Sequence, residues 1–207
     1  MSTSTISGFL SADHLISLDC ERIASYNLKR KEPYYIHSEL GPSAYEGDID
    51  SAPLVLLLAN PGFDETSTLQ DHRFQVSGWH LSGLHPDAPA GLQSWWHTRL
   101  KVLIHEFGAR RVANAVACLQ ITPWASNRFD DSLCLPSRPL ILQAANRCAE
   151  RGAIMLVMRA ERHWLNADAV RSSQRRFRVN SWRCSYVSPG NLPINVWQEI
   201  TRALSDA

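Results

Sequence analysis

The stretch Ala52-Pro-Leu-Val-Leu-Leu-Leu-Ala-Asn-Pro-Gly62 decides the fold. No apolar run in the chain is longer than its six residues from Leu54 to Ala59. Apolarity that is continuous rather than alternating marks a strand covered on both faces, as in a parallel sheet. The Asn-Pro-Gly behind it is a turn signal that ends the strand in a loop.

Three more runs recur at wide intervals: Val112-Ala-Asn-Ala-Val-Ala-Cys-Leu119, Ala153-Ile-Met-Leu-Val-Met158 and the weaker Trp182-Arg-Cys-Ser-Tyr-Val187. The segments between them are long enough for crossover helices. In residues 92–107, Leu92, Trp95, Trp96, Leu100, Leu103, Ile104 and Phe107 fall at helical spacing, and Leu140, Ile141, Ala144, Ala145 and Cys148 do so in residues 138–151. Residues 191–204 read as a closing amphipathic helix and residues 13–28 as an opening one, with residues 30–52 an irregular lead-in to the first strand. This is α/β grammar: one domain over residues 1–207, with residues 1–30 a helical N-terminal extension and four parallel strands between helical layers.

The chain has 207 residues, 44% of them hydrophobic, enough for one well-formed core. Lys+Arg 21 against Asp+Glu 20 leaves a net charge of +1, so a nucleic-acid surface has to be local. Cys20, Cys118, Cys134, Cys148 and Cys184 are scattered without a CxxC pair, which points to reduced thiols. The Ser/Thr-rich start lacks a cationic, apolar leader, and no run is long enough to span a bilayer. The expectation is a cytoplasmic protein with no membrane partner. The histidines show no metal-ligand spacing, and no cofactor motif is present: there is no GxSxG elbow, Walker loop or GxGxxG. The carboxylate pairs Asp64-Glu65 and Asp130-Asp131 sit in loops, where capping or solvation accounts for them without a magnesium site.

In open parallel sheets ligands gather at the carboxyl ends of the strands. The exits here are Asn60-Pro-Gly-Phe-Asp64, Gln120-Ile-Thr-Pro-Trp124, Arg159-Ala-Glu-Arg162 and Ser188-Pro-Gly-Asn-Leu192, and three of the four set a polar residue near a proline. Any one of them is an ordinary turn. Together, and in this order, they resemble the motifs of the uracil-DNA glycosylase superfamily. Tyr45-Glu-Gly-Asp48 followed by Ala52 to Gly62 is similar to the lead into that superfamily's first motif in its Asn-Pro-Gly form. Ala117-Cys-Leu-Gln-Ile-Thr-Pro123 is similar to its central strand exit, and Tyr186-Val-Ser-Pro-Gly-Asn-Leu192 to a degenerate form of its last motif.

The resemblance covers residues 33–192 and implies the superfamily's αβα fold with a four-stranded parallel sheet. It also implies a DNA partner and hydrolysis of the N-glycosidic bond of uracil or a related damaged base. Asn60 would position the hydrolytic water, and Gln120 stands where the family has a pyrimidine-reading Asn. Gly62, Phe63 and Phe74 would line the base site, with Trp124 similarly placed. The catalytic His of the last motif is missing, so the leaving base would fall to backbone N–H groups of residues 188–191 or the Asn191 amide, which makes Ser188 and Asn191 candidates. Residues 159–183 hold seven arginines against Glu161 and Asp168, interleaved with Trp164, Phe177 and Trp182, and Arg175, Arg176 and Arg178 are the candidates for phosphate contact. The same segment also reads as a solvated basic loop. The alternative function is a catalytically inert member of the fold that binds a base, nucleotide, DNA or a protein partner.

Overall fold

The computed structural model describes residues 5–206 other than Asp64, Ser67, Trp182 and Cys184. Leu54–Leu58 forms a strand buried at every position, and it lies between Val116–Gln120 and Ile154–Val157 in parallel register. Tyr45–Glu46 adds an antiparallel edge strand, and Arg176–Arg178 closes the other side in parallel. Numbered along the chain as β1 (Tyr45–Glu46), β2 (Leu54–Leu58), β3 (Val116–Gln120), β4 (Ile154–Val157) and β5 (Arg176–Arg178), the five strands run in the order β1-β3-β2-β4-β5.

Helices cover both faces; they are numbered along the chain with the short α1 (Ile6–Phe9), α3 (Leu69–His72) and α7 (Glu161–Trp164) included. Leu54, Leu56, Leu58, Val116 and Cys118 point one way, onto Trp96, Leu100 and Leu103 of α4 (Ala90–Phe107), Val112 and Ala113 of α5 (Ala109–Ala115) and Val196, Trp197 and Ile200 of α9 (Ile194–Ser205). Val55, Leu57, Ala117, Leu119 and Met155 point the other way, onto Ile141, Ala144 and Cys148 of α6 (Arg138–Glu150) and Val170 of α8 (Asp168–Ser172). Alternate residues of one strand therefore feed two cores, the reason its sequence carries no polar face.

Two of the four expected strands differ. The run starting at Val112 is split: residues 112–115 wind into α5 and only Val116–Gln120 is extended. Both halves are buried, and apolar content alone does not separate a buried helix turn from a buried strand. The expected last strand gives way to β5, which lies upstream of it in the arginine-rich segment; of the expected run, Trp182 and Cys184 lie outside the described residues and residues 185–187 are not extended into the sheet. In Arg-Phe-Arg only Phe177 packs on a core, the alternating pattern of an edge strand. β1 arises in the stretch read as irregular. Gly47 behind it has φ +86°, and a Cβ there would lie 2.5 Å from the Val116 carbonyl, so only glycine lets the chain close onto β3.

The opening helix α2 (Ala12–Asn27) is tied to the rest by Asp19. This fully buried carboxylate accepts from Ser137 N (2.9 Å), Ser137 Oγ (2.6 Å) and Trp124 Nε1 (2.8 Å). It joins the helix to the loop after β3 and to the residue before α6. Around it Ile23, Tyr26, Ile36, Trp124, Leu133 and Leu135 form a third apolar cluster. Asp19→Ala strands three buried donors, and urea denaturation is expected to show a loss of about 3 kcal/mol or more. A loss under about 1 kcal/mol would mean that these bonds do not hold α2 in place.

Candidate functional site

The carboxyl ends of β2 and β3 open into a cleft of about 910 Å³ whose walls include Asn60, Gly62, Phe63, Phe74, Gln120 and Glu46. The strand ladder continues past its formal end through Ile121 N to Leu58 O (3.3 Å) and Thr122 N to Ala59 O (2.9 Å). These bonds hold the Asn60 and Gln120 exits side by side.

Asn60 Nδ2 donates to Pro61 O (2.8 Å), Ser126 O (3.0 Å) and Ser126 Oγ (3.0 Å). Carbonyl oxygens only accept, so the amide orientation is set and Oδ1 is left as the acceptor available to the cleft. Gln120 is 4% exposed. Its Oε1 is buried without a hydrogen-bond partner among the described residues. A buried amide oxygen left unpartnered costs about 1–3 kcal/mol.

Glu46 was not singled out from the sequence. It pairs with Cys118 across β1 and β3, so it shares a sheet face with Gln120 and stands diagonal to it, about 7–8 Å away between Cα atoms. Trp96 Nε1 donates to Glu46 Oε2 at 2.9 Å. Trp96 reaches this position because position 83 is glycine: a Cβ there would lie 2.3 Å from Trp96 Cδ1. Burial pushes the Glu46 carboxyl up to about 7, with the indole hydrogen bond opposing. Only the pairing of a helix-interior Trp with an acidic residue before Gly47 hinted at this in the sequence, since a buried indole N–H needs an acceptor.

Phe63 lies on His37, with ring centroids 3.3 Å apart and planes 2° from parallel, and His37 is gripped by Glu32 Oε1 (2.6 Å) and Glu39 Oε1 (2.9 Å). One face of Phe63 is thereby occupied. Phe74 sits 6.4 Å from the His85 ring. A Cβ at Gly62 would meet nothing within 4 Å, so its open surface is not a packing requirement. Trp124 is not in the cleft; it is buried against Asp19.

Ser188 and Asn191 are not among the cleft's lining residues. Asn191 turns inward: its Nδ2 donates to Tyr186 O (2.9 Å), its Oδ1 accepts from Ser181 N (2.8 Å) and its backbone N–H donates to Ser188 O (3.0 Å). Its amide braces its own loop. The three chosen arginines are likewise engaged, Arg175 with Glu199 (2.6 Å) and Arg176 and Arg178 with Glu161 (3.6 and 3.3 Å). Arg175 also lines a separate depression with Pro53 and Ala153, at the amino ends of β2 and β4, away from the cleft.

Of the acidic pairs, Asp130 accepts from Tyr26 and Ser132 and Asp131 meets Arg162 and His163, while Asp64 lies outside the described residues. Among the described residues no group of three or more His, Cys, Asp or Glu is placed to hold a metal ion, and no helix is long and apolar enough to cross a membrane. No protein-family model, curated protein or solved structure matches the chain.

Because the folded state raises the Glu46 carboxyl from 4.5 to about 7, the native protein holds the extra proton between those values. Its contribution to stability is present below pH 4.5 and is lost as pH rises towards 7, by at most about 1.4 kcal/mol per pH unit. Glu46→Gln removes that term. The stability of the variant relative to the parent is expected to rise across pH 4.5–7.5 in chemical denaturation. A difference that stays flat over this range would show that Glu46 is not buried in this way.

Proposed function

We propose that the cleft takes a nucleobase and that the protein hydrolyses the N-glycosidic bond of uracil or a related damaged base in DNA, as the resemblance to the uracil-DNA glycosylase superfamily implies. The observation that carries this reading is the buried Gln120 amide, whose Oε1 has no hydrogen-bond partner among the described residues, beside the oriented Asn60 amide. A primary amide pairs with a lactam edge, a carbonyl next to an N–H, which uracil, hypoxanthine and xanthine share. The base enters from a single strand or swung out of a duplex, with Phe63 and Phe74 at the walls. The resemblance also implies the superfamily's four-stranded parallel core; β3, β2, β4 and β5 are the strands that would correspond.

Asn60 Oδ1 accepts a hydrogen bond from water and aims its oxygen at C1′ of the sugar. As the C1′–N bond breaks, its electron pair passes to the base and the water oxygen bonds C1′. Glu46 in its protonated form gives its proton to the departing base, and the attacking water gives up a proton to solvent, from which the Glu46 carboxylate is reprotonated, so protons and charge balance. Such positioning is the main requirement of a reaction whose transition state is cation-like at the sugar. It assigns to Glu46 the role left open by the missing histidine of the last motif.

A second reading, a base-binding protein without turnover, is favoured by one observation: Ser188 and Asn191 do not reach the cleft. Release of base from single- and double-stranded oligonucleotides carrying uracil, hypoxanthine or xanthine separates the two.

Asn60→Ala is expected to lower turnover by on the order of 10² or more. It also costs about 1–2 kcal/mol of stability, because Pro61 O and Ser126 O lose their donor. Gln120→Met is expected to abolish base binding while raising stability by about 1 kcal/mol, since it removes an unsatisfied oxygen. A variant at Gln120 that lost stability and kept base binding would refute the assignment.

A further inference from the structure

Arg99 and Arg159 are brought to the same short loop beside the cleft wall. Arg99 lies one turn after Trp95 on α4; its Nη1 donates to Trp95 O (3.1 Å) and its guanidinium carbon sits 3.9 Å over the Trp95 ring, which forms part of the cleft wall. Arg159 follows β4, where its backbone N–H donates to Leu57 O (3.2 Å). Both hold one short loop: Arg159 Nε donates to Ser185 Oγ (3.2 Å), and Arg99 O accepts from Val187 N (2.9 Å).

Arg162, Arg171, Arg175, Arg176 and Arg178 are all in ion pairs, whereas no ion pair among the described residues includes Arg99 or Arg159. Arg99 Nε is buried with no hydrogen-bond partner among the described residues. Burial, and after it the positive charge of Arg159, holds the Arg99 guanidinium below its ordinary proton affinity. Two cations brought to one loop, one of them half-buried with an orphaned donor, are a costly arrangement that an anion relieves.

We propose that Arg99 and Arg159, set by residues 185–188, form a seat for the phosphate group of a nucleotide beside the cleft. Guanidinium is suited to this because its planar fork of donors matches phosphate oxygens. The stacking of Arg99 on Trp95 puts the seat next to the cleft wall. In that respect it rests on the nucleobase reading of the cleft. The phosphate is either a free monoester or a diester within a strand.

The test uses the full chain and three probes: fluorescein-labelled dT20 followed by anisotropy over a salt series, the same length of abasic tetrahydrofuran phosphodiester, and inorganic phosphate followed through the arginine Nε–Hε resonances. The comparison variants are Arg99→Gln, Arg159→Gln and, as control, Arg175→Gln with Arg176→Gln and Arg178→Gln. A strand ligand is expected to bind with an affinity that falls with salt, and each single variant is expected to flatten the log–log slope by about 0.7. The control keeps the parental slope. The abasic strand keeps the same dependence on both arginines even if no base is released, which separates failure of the cleft reading from failure of the seat. Phosphate-induced shifts at Arg99 and Arg159 without strand binding identify a monoester ligand and also support the seat. Parental slopes in both single variants, or no shift at either arginine with inorganic phosphate and no strand binding, overturn it.

Discussion

Strand β2 lies between β3 and β4 in parallel ladders, with helices sealing both of its faces. This constraint governs the rest of the molecule. A strand with no wet face and no free edge cannot carry a polar group along its length, so the first polar residue the chain offers appears where the strand ends. That residue is Asn60, and the same rule applied to β3 places Gln120 beside it. The paired exits, held by Ile121 and Thr122 donating to Leu58 and Ala59, make an edge at which side-chain amides are positioned by the backbone rather than by flexible loops.

Around that edge most polar groups are satisfied internally. Asp19 takes three donors, Asn60 gives its amide to two carbonyls and Asn191 spends both ends of its amide on its own loop. Against this background Gln120 Oε1, the raised Glu46 carboxyl, and Arg99 and Arg159, which form no ion pair among the described residues, stand out. They occupy the cleft and the ground next to it, where groups held at a cost to stability are expected to serve a ligand.

The core strands and most helices were legible in the sequence because burial on two faces writes an unbroken apolar run, as in residues 54–59. Strand β5 was not, because an edge strand needs only Phe177 and its flanking arginines look like a solvated loop. The placement of Asn60 and Gln120 on one cleft followed from where parallel strands end, whereas Ser188, expected at the same edge, is not among the cleft's lining residues because no strand of the sheet leads into it. Glu46 was hidden because its environment is made by Trp96 and two glycines from distant parts of the chain. Arginine density was a poor guide for a related reason: Glu161 and Glu199 neutralise the densest cluster, and Arg99, in no ion pair among the described residues, lies on a different helix.

The central claim is that the Gln120 amide waits for the edge of a base. Titrating the ¹⁵N-labelled protein with free uracil, hypoxanthine and xanthine reads that amide directly. The account predicts that at least one of the three shifts the Gln120 side-chain resonances together with residues around Asn60, and that Gln120→Met, still folded, shows no such response. Side-chain resonances of Gln120 that stay unmoved by all three bases at millimolar concentration would contradict it.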